Sequence, residues 1–267
     1  MRKLFKEAIL RAVRLCGYDV TKRQEQLYSI FVEDRATIAE VTHQEHILKF
    51  FIGNPADHIQ KTHMQGDLYE LEELSIIQQY YDPETVFIDI GANVGNHAIW
   101  AAKCLGARRV IAFEPVLGQH TLLCANVALN GCDEIIEVRK VALSVSTGTA
   151  RVARSFIIND NSGFARLSST GFGEEVKLTT GDIELTDIGP HFIKIDVEGH
   201  EMAALEGLQK TIETHRPLLF IEVDNTNAAA FDHWLAKNHY EKRDEFKRHK
   251  ENCNYIAAPL SQDSETA

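Results

Sequence analysis

From residue 84 onward, short apolar segments alternate with amphipathic segments, and this alternation constrains the fold more than any other feature of the chain. We predict strands at 86–90, 110–113, 135–143, 192–197 and 218–223, with helices at 95–105, 118–130, 200–213 and 227–238. Continuous apolar strands that alternate with helices are typical of a parallel sheet covered by helices on both faces. The sequence therefore predicts an α/β fold.

Two regions lie outside this alternation. Residues 145–190 are rich in glycine and serine, and we expect a loop-rich insertion there, placed where a substrate could be met. Residues 1–66 are expected to form an N-terminal extension that contains a β-hairpin built from residues 36–41 and 46–52. A helix is predicted over residues 67–80, so we divide the chain into an extension, 1–66, and a main domain that occupies the rest, 67–267.

The charge distribution narrows the class of partner. The chain has 28 basic and 39 acidic residues, for a net charge of −11, which disfavours sequence-independent binding of nucleic acid. Residues 1–23 alone carry +5 and are predicted to contain a basic amphipathic helix near residues 3–15. This segment could dock on the acidic body, frame an anionic substrate or make weak peripheral contact with an anionic membrane.

Cysteine content and hydropathy favour a cytoplasmic protein. The five cysteines are scattered and form no C-x-x-C pair, which argues against a disulfide framework or a zinc finger. No apolar run reaches the roughly 18 residues that indicate a transmembrane helix.

A glycine turn follows the first strand of the alternating region. The segment from Asp89 to Gly95 reads DIGANVG, and Glu114 stands at the end of the next strand, 23 residues after Gly91. Glycines let a ligand approach the backbone, and an acid at this distance can bind ribose hydroxyls. The spacing is shorter than G-x-G-x-x-G and acids flank the turn, which favours the sulfonium cofactor S-adenosylmethionine. A nicotinamide-dependent oxidoreductase and a turn that only joins strand to helix remain alternatives.

Several motifs together resemble the FkbM-type family of class I S-adenosylmethionine-dependent methyltransferases. They are VFIDIGANVGNHAIWA from Val86, IAFEPV from Ile111, NVALNG from Asn126 and IKIDVEGHE from Ile193. The sequence departs from the usual pattern at Ala98, where Thr or Ser is common. The resemblance implies a Rossmann-like, seven-stranded sheet and transfer of a methyl group to a hydroxyl of a sugar, glycan or specialised metabolite.

The resemblance also implies cofactor-binding residues. Glu114 would hold the ribose hydroxyls, Asp89 would face the sulfonium and amino end, and Ala142 would meet the adenine. The full set is Glu70, Asp89, Gly91, Ala92, Asn93, Gly95, Glu114, Pro115 and Ala142.

Polar residues at the end of the predicted strand 192–197 are the candidates for catalysis. Asp196, Glu198 and His200 stand where a strand passes into a helix, and Asp196 or His200 could act as general base. Asp196, Glu198, Glu201 and Glu222 also offer hard oxygen ligands to a divalent metal. In a third interpretation Glu198 and Glu201 only stabilise the helix N-terminus. A methyltransferase fold kept as a catalytically silent binding module is the non-enzymatic alternative.

Overall fold

The structure, a computed structural model, describes residues 37–153, 167–168 and 173–260. The predicted basic helix lies outside these residues. The strands are β1 Thr37–His43, β2 His46–Ile52, β3 Val86–Ile90, β4 Arg109–Phe113, β5 Ile136–Arg139, β6 Ala142–Leu143, β7 Gly148–Ala153, β8 Leu167–Ser168, β9 Gly173–Thr179, β10 Phe192–Ile195, β11 Leu218–Asp224, β12 Tyr240–Phe246 and β13 Asn252–Pro259. The helices are α1 His58–Met64, α2 Leu71–Tyr80, α3 Asn96–Lys103, α4 Leu117–Leu129, α5 Gly181–Glu184, α6 Glu201–Gly207, α7 Gln209–His215 and α8 Ala228–Asn238.

Seven strands form the central sheet in the order β12-β13-β11-β10-β3-β4-β5. Strands β3, β4, β5, β10 and β11 run parallel, and β13 is antiparallel to both of its neighbours. The chain leaves β3 for β4 on one side and later returns to β10 on the other. The carboxyl ends of β3 and β10 therefore mark the switch point at which open α/β sheets bind ligands. The predicted α/β fold with a seven-stranded sheet is confirmed.

Each face of the sheet packs against its own apolar cluster. All five residues of β3 are buried, and its apolar side chains divide between the two clusters, with Phe87 in one and Val86, Ile88 and Ile90 in the other. Phe87 packs with the helices α2, α3 and α4, whereas Ile88 packs with α6, α7 and α8. Burial on both faces explains why the central strands appear in the sequence as unbroken apolar runs.

The predicted β-hairpin is present as β1 and β2, and α4 fastens it to the glycine turn. Asn126 accepts a hydrogen bond from the backbone N–H of Phe51 at 2.7 Å and donates one to the carbonyl of Val94 at 2.8 Å. Asn130 binds both backbone groups of Lys49. The NVALNG motif thus joins the hairpin to the main sheet. The division at residue 66 stays a prediction.

Other sequence predictions need correction. The region 145–190 is not simply loop-rich, because β7, β8 and β9 form a four-stranded sheet with β6. The predicted strand 135–143 is divided between two sheets, since its last residues pair with β9. The predicted helix 67–80 begins only at Leu71, after Glu70 in a left-handed conformation, and α1 was not predicted.

The predicted helix 200–213 is also interrupted, and forms α6 and α7 on either side of Leu208. Gly207, at the break, lies against the carbonyl oxygen of Ser144, where a side chain would collide. Within the described residues no helix has the length and hydropathy required to span a bilayer.

Candidate active site

A cavity of about 450 Å³ opens at the carboxyl ends of β3, β4, β10 and β11. Most of the predicted site residues line it, namely Glu70, Gly91, Ala92, Asn93, Glu114, Pro115, Ala142, Asp196, Glu198, His200 and Glu222. Three predicted residues do not line it. Asp89 is fully buried behind the wall, Gly95 lies under the turn, and Glu201 is bonded elsewhere.

The glycine turn is shaped by close contact with the neighbouring strand. Gly91 has φ 83°, and a Cβ atom there would collide with the carbonyl oxygen of Asp196. Gly95 has φ 95°, and its Cβ would lie 2.6 Å from a methyl group of Leu123. Both positions favour glycine for conformation, and at Gly91 the backbone of Asp196 also leaves no space for a side chain.

Three non-glycine residues that line the cavity also have positive φ angles. The values are 60° for Glu70, 49° for Asn93 and 51° for Glu198. Such conformations are costly for L-residues and concentrate at functional sites. The backbone around the cavity is therefore held in left-handed conformations by the rest of the fold, at some cost in free energy.

Glu114 is oriented by the backbone around it. One carboxylate oxygen accepts from the N–H of Asn93 at 3.0 Å and the other from the N–H of Val116 at 2.8 Å. Burial raises the pKa of Glu114 to about 7, although these two N–H groups act in the opposite direction. Each oxygen keeps a free lone pair. The side chain is therefore held in place with capacity to accept hydrogen bonds from a ligand's hydroxyl groups.

The carboxylates of Asp196, Glu198 and Glu222 meet on the opposite wall. One oxygen from each lies within 4.8 Å of the others. Burial, followed by the charges of Asp196 and Glu198, raises the pKa of Glu222 to about 10. Burial and the charge of Asp196 raise the pKa of Glu70 to about 8. Glu222 and Glu70 therefore hold protons at neutral pH. The trio of oxygens is the predicted metal set without Glu201.

Glu201 instead stabilises the start of α6. It accepts hydrogen bonds from the N–H of Gly199 at 2.5 Å and from the side chain of Asn227 at 2.7 Å. This arrangement matches the interpretation in which Glu201 serves the helix N-terminus.

Two of the histidines that line the cavity, His97 and His200, have lowered pKa values that favour the neutral form. Burial lowers the pKa of His200, whose Nε2 lies 3.0 Å from the hydroxyl of Ser144. Burial also lowers the pKa of His97, whose Nε2 is buried without a hydrogen-bond partner among the described residues. The carboxylate of Glu70 lies 3.8 Å from this nitrogen.

Lys194 and the tip of the β12–β13 hairpin also belong to the site, although neither was predicted from the sequence. Lys194 lines the cavity, and His249 and Asn252 approach it from that hairpin. Lys194 could have been noticed because it is a charged residue in the middle of an apolar strand. His249 and Asn252 carry no comparable signal.

Comparison with known proteins assigns the family. Residues 89–256 match the family model described as the methyltransferase FkbM domain. A stretch of 149 residues is 29% identical to hexuronic acid methyltransferase AglP of Haloferax volcanii, covering 54% of this chain and 59% of that protein. The chain thus spans less than two thirds of that relative.

Solved structures resemble the fold at low sequence identity. An uncharacterised protein from Listeria monocytogenes serotype 4b is 15% identical with a TM-score of 0.50, covering 73% of this chain and 69% of the other. Methyltransferase FkbM from Methylobacillus flagellatus KT is 17% identical with a TM-score of 0.48, covering 74% and 52%. The family model matches more than half of the chain and includes the glycine turn, Glu114 and the strand-end carboxylates, so this protein belongs to the methyltransferase FkbM domain family.

Proposed function

We propose that this methyltransferase uses S-adenosylmethionine to methylate a hydroxyl group of a sugar or sugar derivative, with hexuronic acids as the first acceptor class. The observation that carries the proposal is the buried Glu114 carboxylate, which the backbone fixes beside the glycine turn at the cavity wall. The similarity to a hexuronic acid methyltransferase supports the acceptor class. A nicotinamide-dependent activity gains no support from the family assignment.

The residues present fit such a cofactor. Glu114 would accept hydrogen bonds from the ribose hydroxyls, and the turn that Gly91 shapes would lie under the methionine part. Ala142, at the end of the short strand β6, would contact the adenine. The unpartnered Nε2 of His97 offers a polar contact near Glu70 at the cavity wall. The cofactor, when bound, supplies a methyl group activated by a positively charged sulfur.

Asp196 is the group that we assign to proton removal. Its carboxylate lines the cavity at the end of β10 and is partly exposed to it. A sugar hydroxyl is a poor nucleophile, so a base within hydrogen-bond reach is needed. The protonated Glu222 would donate a hydrogen bond to a neighbouring acceptor oxygen, and Glu198 and His200 would orient the ring. The alternative base, His200, is already engaged by Ser144.

Binding of the cofactor can be tested without knowledge of the acceptor. We expect isothermal titration calorimetry to show that S-adenosylhomocysteine binds the wild-type protein, and that Glu114→Ala weakens binding at least tenfold, because the hydroxyl contacts are worth about 1.5–3 kcal/mol. Glu137→Ala, which removes an exposed glutamate on β5, is the matched control and should bind as the wild type does. Equal affinity in Glu114→Ala and Glu137→Ala would contradict the proposed role of Glu114.

The carboxylate trio raises a separate question of metal dependence. Asp196, Glu198 and Glu222 form an oxygen-rich set that suits Mg²⁺ or Ca²⁺. However, the ammonium group of Lys194 lies 3.4 Å from Asp196 and would repel a second cation. We therefore expect methyl transfer to survive treatment with EDTA. Loss of activity with EDTA and its recovery on addition of Mg²⁺ would instead favour the metal interpretation.

A further inference from the structure

One buried ammonium group connects the glycine turn to the acceptor side of the cavity. The side chain of Lys194 is 3% exposed, and its Nζ donates to the carbonyl of Gly91 at 3.2 Å. The same nitrogen lies 3.2 Å from Asp89 and 3.4 Å from Asp196. One cation therefore contacts β3, the turn that follows it and the carboxylate assigned to proton removal.

The sheet register fixes this arrangement. Lys194 stands directly opposite Asp89 in the parallel pair β10–β3. Burial alone would lower the pKa of Lys194, but the carboxylates of Asp89 and Asp196 outweigh it and raise the pKa. Lys194 is therefore charged at neutral pH and cannot itself act as a base.

An ion pair with Asp89 would be enough for a purely structural role. Asp89 is fully buried and lies behind the cavity wall, whereas Lys194 and Asp196 both line the cavity. The ammonium group has three N–H donors, so its contacts with Gly91 and Asp196 also satisfy donors that Asp89 leaves over. Because Asp196 lines the cavity, its contact with Lys194 would in addition fix the position and the local charge of the carboxylate assigned to proton removal.

We infer that Lys194 is a positioning residue, which holds the Asp196 carboxylate at the cavity wall and balances part of the negative charge that a sulfonium would meet. The inference rests on the proposed function. In this arrangement Lys194 becomes part of the site. The buried Asp89 anchors Lys194, and Lys194 in turn orients Asp196.

A pair of ligands that differ in charge provides the test. S-adenosylmethionine carries a positive sulfur and S-adenosylhomocysteine a neutral one, so the ratio of their dissociation constants reports the charge around the sulfur. The variant Lys194→Met/Asp89→Asn removes the ammonium without leaving Asp89 as an unpaired buried charge. Lys194→Gln/Asp89→Asn, whose new amide can still donate to Gly91, is measured in parallel in case the first variant fails to fold.

The double variant removes one positive and one negative charge, but Lys194 lines the cavity whereas Asp89 lies behind its wall. We therefore expect the loss of the nearer positive charge to dominate and the preference for S-adenosylmethionine to rise about fivefold or more. Adding Asp196→Asn should reverse this rise. The control Lys242→Met/Asp232→Asn removes an ion pair of 2.6 Å remote from the cavity and should leave the ratio unchanged. Thermal unfolding of each variant monitors folding.

The outcomes separate the two claims. If the wild-type protein binds neither ligand, the proposed function fails. If the wild type binds both ligands and a folded Lys194 variant shows the same ratio as the Lys242 control, Lys194 has only a structural role and the inference is wrong.

Discussion

Three glutamates of the cavity are partly or fully removed from water, since Glu114 is buried and Glu70 and Glu222 are half-buried. Burial is the largest cause of the raised pKa values of Glu70, Glu114 and Glu222, and neighbouring carboxylates add to it. Such environments are typical of catalytic and binding sites, where the ionisation of a group matters more than its contribution to stability. The stability of this protein should therefore depend on the ionisation of these groups.

Glu222 gives the clearest case. Its carboxyl keeps a proton in the folded state up to a pKa of about 10, whereas the unfolded chain releases it near the ordinary value of 4.5. The unfolded state then binds fewer protons, so the free energy of unfolding falls as pH rises between these two values. We expect Glu222→Gln to weaken this fall and to be more stable than the wild type near neutral pH by about 1–3 kcal/mol.

Urea unfolding at several pH values measures this effect. Glu245→Gln, at an exposed position on the edge strand β12, is the control and should follow the wild-type pH dependence. A Glu222→Gln variant with the wild-type pH dependence would show that Glu222 is ionised in the folded protein.

At the level of elements, the predictable parts are those buried on both faces. Strand β3 and its neighbours are continuous apolar runs because each face packs on a separate cluster. The last two strands were not predicted. Strand β12 has the sequence YEKRDEF, whose charged residues suit the exposed edge of the sheet and resemble a loop. Because the hairpin β12–β13 was not predicted, the positions of His249 and Asn252 at the cavity were not predicted either.

The hairpin β1–β2 depends on contacts distant in sequence. Asn126 is fully buried and satisfies two backbone groups, on Phe51 and Val94, that would otherwise lack these partners. We expect Asn126→Ala to lower the free energy of unfolding by about 2–4 kcal/mol, because each buried group left unsatisfied costs about 1–3 kcal/mol.

Equilibrium unfolding in urea tests this expectation. Gln79→Ala, at an exposed position whose side chain bonds only within α2, should change stability by no more than about 0.5 kcal/mol. An equally small effect for Asn126→Ala would mean that the hairpin is held by apolar packing alone.

At the level of the whole molecule, the family and the part of the cavity around the glycine turn were predictable, whereas the wall that we assign to the acceptor was only partly so. The glycine turn and Glu114 are close in sequence and follow a recognised pattern. The wall that we assign to the acceptor is formed by the ends of β10 and β11, the tip of the β12–β13 hairpin and the residues before α2. No sequence pattern indicates that these segments lie close together. Lys194 belongs to both sides, which is why its role emerges only from the three-dimensional structure.

The charge of the cavity wall affects which acceptors can bind there. Among the described residues that line the cavity, Lys194 is the only lysine or arginine. A hexuronic acid brings a further carboxylate, so it would need protonated partners such as Glu70 and Glu222. A comparison of hexuronic acids with the matching neutral sugar therefore tests how the wall receives its acceptor.

The most direct test is mass spectrometry of glucuronic acid, galacturonic acid and glucose after incubation with the protein and S-adenosylmethionine. We predict a product that is heavier than one of the hexuronic acids by a single methylene unit. The variant Asp196→Asn should form at least a hundredfold less of this product, because a general base contributes about 10²–10⁴ in rate. The control Glu137→Ala should give the wild-type yield. Undiminished methylation by a folded Asp196→Asn variant, or no methylated sugar from a wild-type protein that binds the cofactor, would contradict the account.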